Sequence, residues 1–139
     1  MARLVVGLGT DDRGDDAAGL EVARRVRKAE GRPTPNPLEL IDLLEEWEEV
    51  VVVDTMRSGE APGTIRKFNL DDESLPGHPF VSSHLVGPFE ALALARSLGL
   101  SQSGLVVYGI EAENVEVGEG LSAPVREAVE ALVKEIDSA

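Results

Sequence analysis

The sequence predicts an α/β protein with a largely parallel sheet. Short valine-rich apolar runs recur along the chain, and stretches with helical spacing of apolar residues alternate with them. The strongest runs are continuous rather than alternating, as expected for strands covered on both faces.

Taken in order, Leu4 to Val6 reads as the first buried strand. A helix is expected from Asp15 or Asp16 to about Glu30, with Ala18, Val22 and Val26 on one face. The proline-rich stretch GRPTPNPLEL, Gly31 to Leu40, makes a weak strand at best. A second helix covers Ile41 to about Glu48, turning Ile41, Leu44 and Trp47 inward, and Val50 to Val53 follows as a second buried strand. SGEAPG, Ser58 to Gly63, has the residues of a turn. The more polar TIRKFNL, Thr64 to Leu70, alternates and belongs at a sheet edge, where it can run antiparallel. A third helix starts around Ser83 or His84 and ends at Gly99, and Leu105 to Ile110 is another buried strand. Ser122 has the chemistry of an N-cap for the last helix. The apolar stripe of that helix is Val125, Ala128, Val129, Leu132, Val133 and Ile136. The 139 residues have the length of one domain, residues 1–139, with enough apolar content for one core.

With 26 acidic against 13 basic side chains, the net charge is −13, which argues against nucleic acid or an anionic membrane surface as a partner. The absence of cysteine excludes disulfides, thiolate metal sites and a cysteine nucleophile. The apolar run in MARLVVGLG is too short for a signal peptide, so a cytoplasmic location is expected.

Ligands of open α/β sheets sit beyond the carboxyl ends of parallel strands, and the chemically interesting residues fall there. GLGTDDRGDDAAG, Gly7 to Gly19, leaves the first strand with four aspartates within six residues, Asp54 ends the second strong strand, and Gly109 to Glu111 ends the last. His84 opens a helix after a long loop, whereas His78 lies in a turn-like PGHP and is expected at the surface. Each acid has a plain structural reading, as a helix cap or a hydrogen-bond acceptor for loop amides. The glycines do not match a dinucleotide fingerprint or a phosphate-binding loop, and the aspartates would repel phosphate. A serine triad using Ser82 or Ser83 with His84 lacks a nucleophile elbow. Asp16, Asp54 and His84 offer two carboxylates and an imidazole, a donor set suited to a borderline divalent ion if the strand ends converge.

These segments resemble the hydrogenase maturation endopeptidases, which process the large subunit of nickel-iron hydrogenases. The similar segments, in chain order, are VVGLG, RGDDxxGLEV, VVVDTMRSGEAPGT, SSH at a helix start, VYGIE and LSAPVREAV. The resemblance implies a three-layer α/β/α sandwich around a mostly parallel mixed sheet of about four to five strands. It also implies a hydrolase, an endopeptidase removing a C-terminal extension from a hydrogenase large-subunit precursor after nickel insertion. By position the family's metal ligands and catalytic groups fall on Asp16, Asp54 and His84, and the nickel is expected to arrive with the substrate. Asp15 then caps the helix or supports the ligands, and Asp11 and Asp12 are solvated loop charges.

Thr10 stands where the family usually has asparagine, and Ala17 replaces a glycine. The family's glycine-rich loop before the second helix is replaced by PTPNPLELIDLL, which brings in a second reading: a non-catalytic relative acting as a metal-binding or maturation chaperone module. The start VVGLG is also similar to that of peptidyl-tRNA hydrolases. That family needs an asparagine at the position of Thr10 and a histidine soon after the first strand, and neither is present.

Overall fold

The structure is a computed structural model describing residues 3–68, 87–100 and 104–139. Its strands are β1 (Arg3–Leu8), β2 (Glu30–Thr34), β3 (Glu49–Met56), β4 (Ile65–Phe68) and β5 (Leu105–Glu111). Its helices are α1 (Ala18–Arg25), α2 (Glu39–Glu46), α3 (Pro88–Ser97) and α4 (Ala123–Ser138). The sheet order is β2-β1-β3-β5-β4, parallel except for the antiparallel β4 at one edge. This is the mostly parallel, helix-covered sheet that the sequence predicts.

Side chains alternate across a strand, and the two cores follow that period. Leu4, Val6, Leu8, Val50, Val52 and Met56 face Leu40, Leu43, Ala91 and Leu92 of α2 and α3. Val5, Val51 and Val53 face Ala18 and Val22 of α1 and the α4 stripe Val125, Ala128, Val129, Leu132 and Ile136. The core valines and leucines are almost fully buried, which contributes about 1.5–3 kcal/mol for each fully buried side chain. β1 leads through α1 to β2 on one side, and β2 crosses back through α2 to β3 on the other. The chain direction therefore switches between β1 and β3, where the two adjacent carboxyl ends leave a crevice.

Three expectations change. The first helix ends at Arg25, not near Glu30: Val26 is already extended, and the Asp137 carboxylate of α4 holds the following turn by accepting from the Arg27 and Lys28 amides at 3.0–3.2 Å. The proline-rich stretch does contain a strand, because β2 is an edge strand pairing only with β1 and therefore tolerates Pro33. α2 starts two residues earlier than expected, after a turn in which Asn36 Oδ1 accepts from the Leu38 amide at 3.1 Å. Its buried residues are Leu40 and Leu43, with Leu44 and Trp47 packed beside them, and Ile41 is only partly buried. The expected start of the third helix, at Ser83 or His84, lies outside the described residues.

Candidate functional site

The loop after β1 folds tightly enough to bring Asp15 and Asp16 back over the strand ends. It closes through a 3-10 turn, Gly14–Ala17, rather than running straight into α1. Gly9 permits this closure, since a Cβ there would stand 2.1 Å from the Asp16 carbonyl oxygen. Gly19 seats the start of α1 on the sheet, where a Cβ would meet the Leu8 and Val53 carbonyl oxygens at 2.4 and 2.5 Å.

Asp16 is 2% exposed and Asp54 is 3% exposed, so both carboxyls are withdrawn from bulk solvent. Asp54 Oδ1 accepts from the Thr55 amide at 2.7 Å. Burial pushes the Asp54 carboxyl well above the ordinary carboxylate value, the Thr55 amide opposes that rise, and the negative charge of Asp16 adds to it. The two acids thus sense each other across the β1–β3 crevice, although they are 38 positions apart in the chain. His84 lies outside the described residues, as does His78. Among the described residues no group of three or more His, Cys, Asp or Glu side chains is arranged to hold a metal ion. Asp16 and Asp54 are the two described donors of the expected set.

Asp15 neither caps a helix nor faces solvent. Its fully buried carboxylate accepts four hydrogen bonds from the loop between β5 and α4: from the Glu113 and Asn114 amides at 2.8 and 2.9 Å, the Ser122 amide at 2.7 Å and the Ser122 hydroxyl at 2.9 Å. Its carbonyl accepts from the Thr55 hydroxyl at 2.8 Å. Ser122 occupies the N-cap position of α4 without capping it through its side chain, because its hydroxyl is turned to Asp15. Asp11 and Asp12 are exposed as expected, but Asp11 also pairs with Arg24 through contacts of 2.8 and 3.0 Å, which holds its carboxyl below the ordinary value.

Glu111, at the end of β5, is 3% exposed and accepts from the Ser58 amide and hydroxyl, tying the loop after β3 to the same rim. An open cleft of about 800 Å³ lies beside it, lined by Arg57, the segments 113–116 and 119–122, and Arg126. The sequence reading missed this cleft and the Asp15 latch beside it. The sole sequence hint of the latch was a second aspartate adjoining Asp16.

A mostly parallel, helix-covered sheet with paired buried acids at its switch point defines an α/β protein. The chain belongs to the HycI hydrogenase maturation protease family, which matches residues 35–139. It is similar to the coenzyme F420 hydrogenase subunit delta of Methanothermobacter thermautotrophicus, with 29% identity over 91% of this chain and 86% of that protein. Among solved structures it resembles the [NiFe] hydrogenase maturation protease HybD from Thermococcus kodakarensis, with 25% identity, a TM-score of 0.77 and coverage of 99% and 98% of the two chains. The endopeptidase HycI from Escherichia coli shares the fold at a TM-score of 0.78 with 21% identity, covering 99% of this chain and 90% of that one. No helix among the described residues is long and apolar enough to cross a membrane.

Proposed function

We propose that this chain is an endopeptidase that removes a C-terminal extension from a nickel-iron hydrogenase large-subunit precursor, reading the nickel carried by that substrate through Asp16, Asp54 and His84. The observation that carries the reading is the convergence of Asp16 and Asp54, from separate segments, on the crevice between β1 and β3. Two carboxylates and an imidazole suit nickel better than calcium or magnesium, which prefer oxygen donors throughout. On this reading the ionised Asp54 carboxylate, made more basic than an ordinary one by its burial, takes a proton from an attacking water and returns it to the departing amine. Water then adds to one peptide bond and leaves a new carboxylate and a free amine. The test is incubation with a nickel-loaded precursor. A smaller product by mass, lost in Asp16→Ala, Asp54→Ala and His84→Ala, supports the proposal; an uncut precursor in the presence of folded protein overturns it.

A second reading rests on the turn after β2. Thr34 Oγ1 accepts from the Asn36 amide and Asn36 Oδ1 from the Leu38 amide, and the rings of Pro35 and Pro37 restrict the backbone of the same turn, where a glycine-rich loop would let a substrate backbone come close. On that reading the protein binds the precursor without cutting it, and stable co-elution with an uncut precursor is its signature.

A further inference from the structure

We propose that the cleft beside the rim binds the polypeptide tail of the substrate, and that Arg57 and Arg126 recognise a carboxylate on that tail. The inference rests on the peptidase reading and adds the feature of the substrate that is recognised.

The cleft has the volume of a ligand site and polar walls, which suit a peptide's amides better than an apolar ligand. Arg57 and Arg126 enter it from the end of β3 and from α4. Neither forms an ion pair among the described residues, whereas the Arg24 and Arg25 guanidinium groups do. Among the described residues the Arg126 guanidinium donates only to the Leu121 carbonyl, at 3.1 Å. Both side chains are exposed, and a guanidinium fork matches a carboxylate in shape and charge. The glutamates Glu113, Glu116 and Glu119 also line the cleft and repel polyanions, which favours a peptide that is otherwise neutral or basic.

The cleft is also registered to the acid pair. Arg57 lies three positions beyond Asp54, about 10 Å at the rise of an extended chain. An extended peptide covers that distance in about three residues, so the carboxylate stands about three residues from the bond held over Asp16 and Asp54. The lining residues Glu113, Asn114 and Ser122 are held by Asp15, the immediate neighbour of Asp16.

The test is a titration of the isotope-labelled, metal-free protein, followed by amide resonances, with N-acetyl-tetraalanine bearing a free terminal carboxylate and with its terminal amide. The proposal expects saturable shifts at Glu113, Asn114 and Ser122 with the free carboxylate. Binding should weaken about fivefold for the amide peptide and by a similar factor in Arg57→Gln and in Arg126→Gln. Equal affinity for the two peptides, shifts confined to other surfaces, or the absence of saturable shifts overturns it. The probe carries no nickel and no cleavable precursor sequence, so a failed titration beside intact precursor cleavage removes the cleft proposal alone.

Discussion

Substituting Asp15 by alanine is the most demanding test of how the rim is built. The wild-type carboxylate accepts four hydrogen bonds of 2.7–2.9 Å in a fully buried position. Each charge-assisted bond contributes about 1.5–3 kcal/mol, and donors left without a partner add to the loss. Two effects reduce it. Water entering from the adjoining cleft can satisfy some of the freed amides, and the released Ser122 hydroxyl can cap α4, which returns about 1 kcal/mol. The net expectation is a loss of about 3 kcal/mol. With a urea slope of about 2 kcal/mol per molar, the unfolding midpoint should fall by about 1.5 M without a change in slope. Ser122→Ala loses only the hydroxyl contact and should lower the midpoint by about 0.8 M. Equal small shifts in both variants would show that the carboxylate is not the latch described above.

Asp54→Asn tests the buried acid. Its folded value is raised by burial and by Asp16, so the stability associated with the protonated form is present below the ordinary carboxylate value and is lost as pH rises through the folded one. In chelator-treated protein the variant should melt higher than wild type at about pH 8 and level with it at about pH 4; parallel melting curves at both would refute the shift. Nickel titration by calorimetry near about pH 7.5, where a histidine is largely neutral, should give one saturable event that is lost in Asp16→Ala, Asp54→Ala and His84→Ala, and retention in all three would remove that ligand set. Gly19→Ala drives a Cβ against two strand carbonyl oxygens and should cost about 3 kcal/mol, lowering the thermal midpoint by about 10 °C. A shift of only a degree or two would mean that α1 can lift from the sheet.

The strands were legible because valine runs buried on both faces leave little alternative. Val50 to Val53 and Leu105 to Ile110 lie within β3 and β5, and the alternating TIRKFNL holds the antiparallel edge strand β4. Helix faces were less legible where a boundary was shifted. Placing Leu40 in the proline segment concealed the 40, 43, 44, 47 repeat that forms the buried side of α2. Asp16 and Asp54 could be read from their positions after parallel strands, since the topology brings such ends together. The partners of Asp15 were not legible, because Glu113, Asn114 and Ser122 lie 98 to 107 positions away and offer mainly backbone amides, which every residue possesses. Ser122 was misleading for a related reason: its hydroxyl suits both a helix cap and a carboxylate, and only the fold decides between them.

The last helix is stitched to the first quarter of the chain. The Arg3 guanidinium donates to the Ile136 carbonyl, and Asp137 accepts from the amides of Arg27 and Lys28, contacts spanning 109 to 133 positions. During synthesis these partners emerge at opposite ends of the programme, so the N-terminal strand and helix must wait for almost the whole chain before their outer ends are secured. The sheet edge opposite the rim, at the amino ends of β1 and β2, therefore matures late, and a nascent chain stalled before α4 leaves that edge open. A ribosome-bound series of increasing lengths would show protease protection of β1 and α1 arriving abruptly, once residues beyond Asp137 have cleared the exit tunnel.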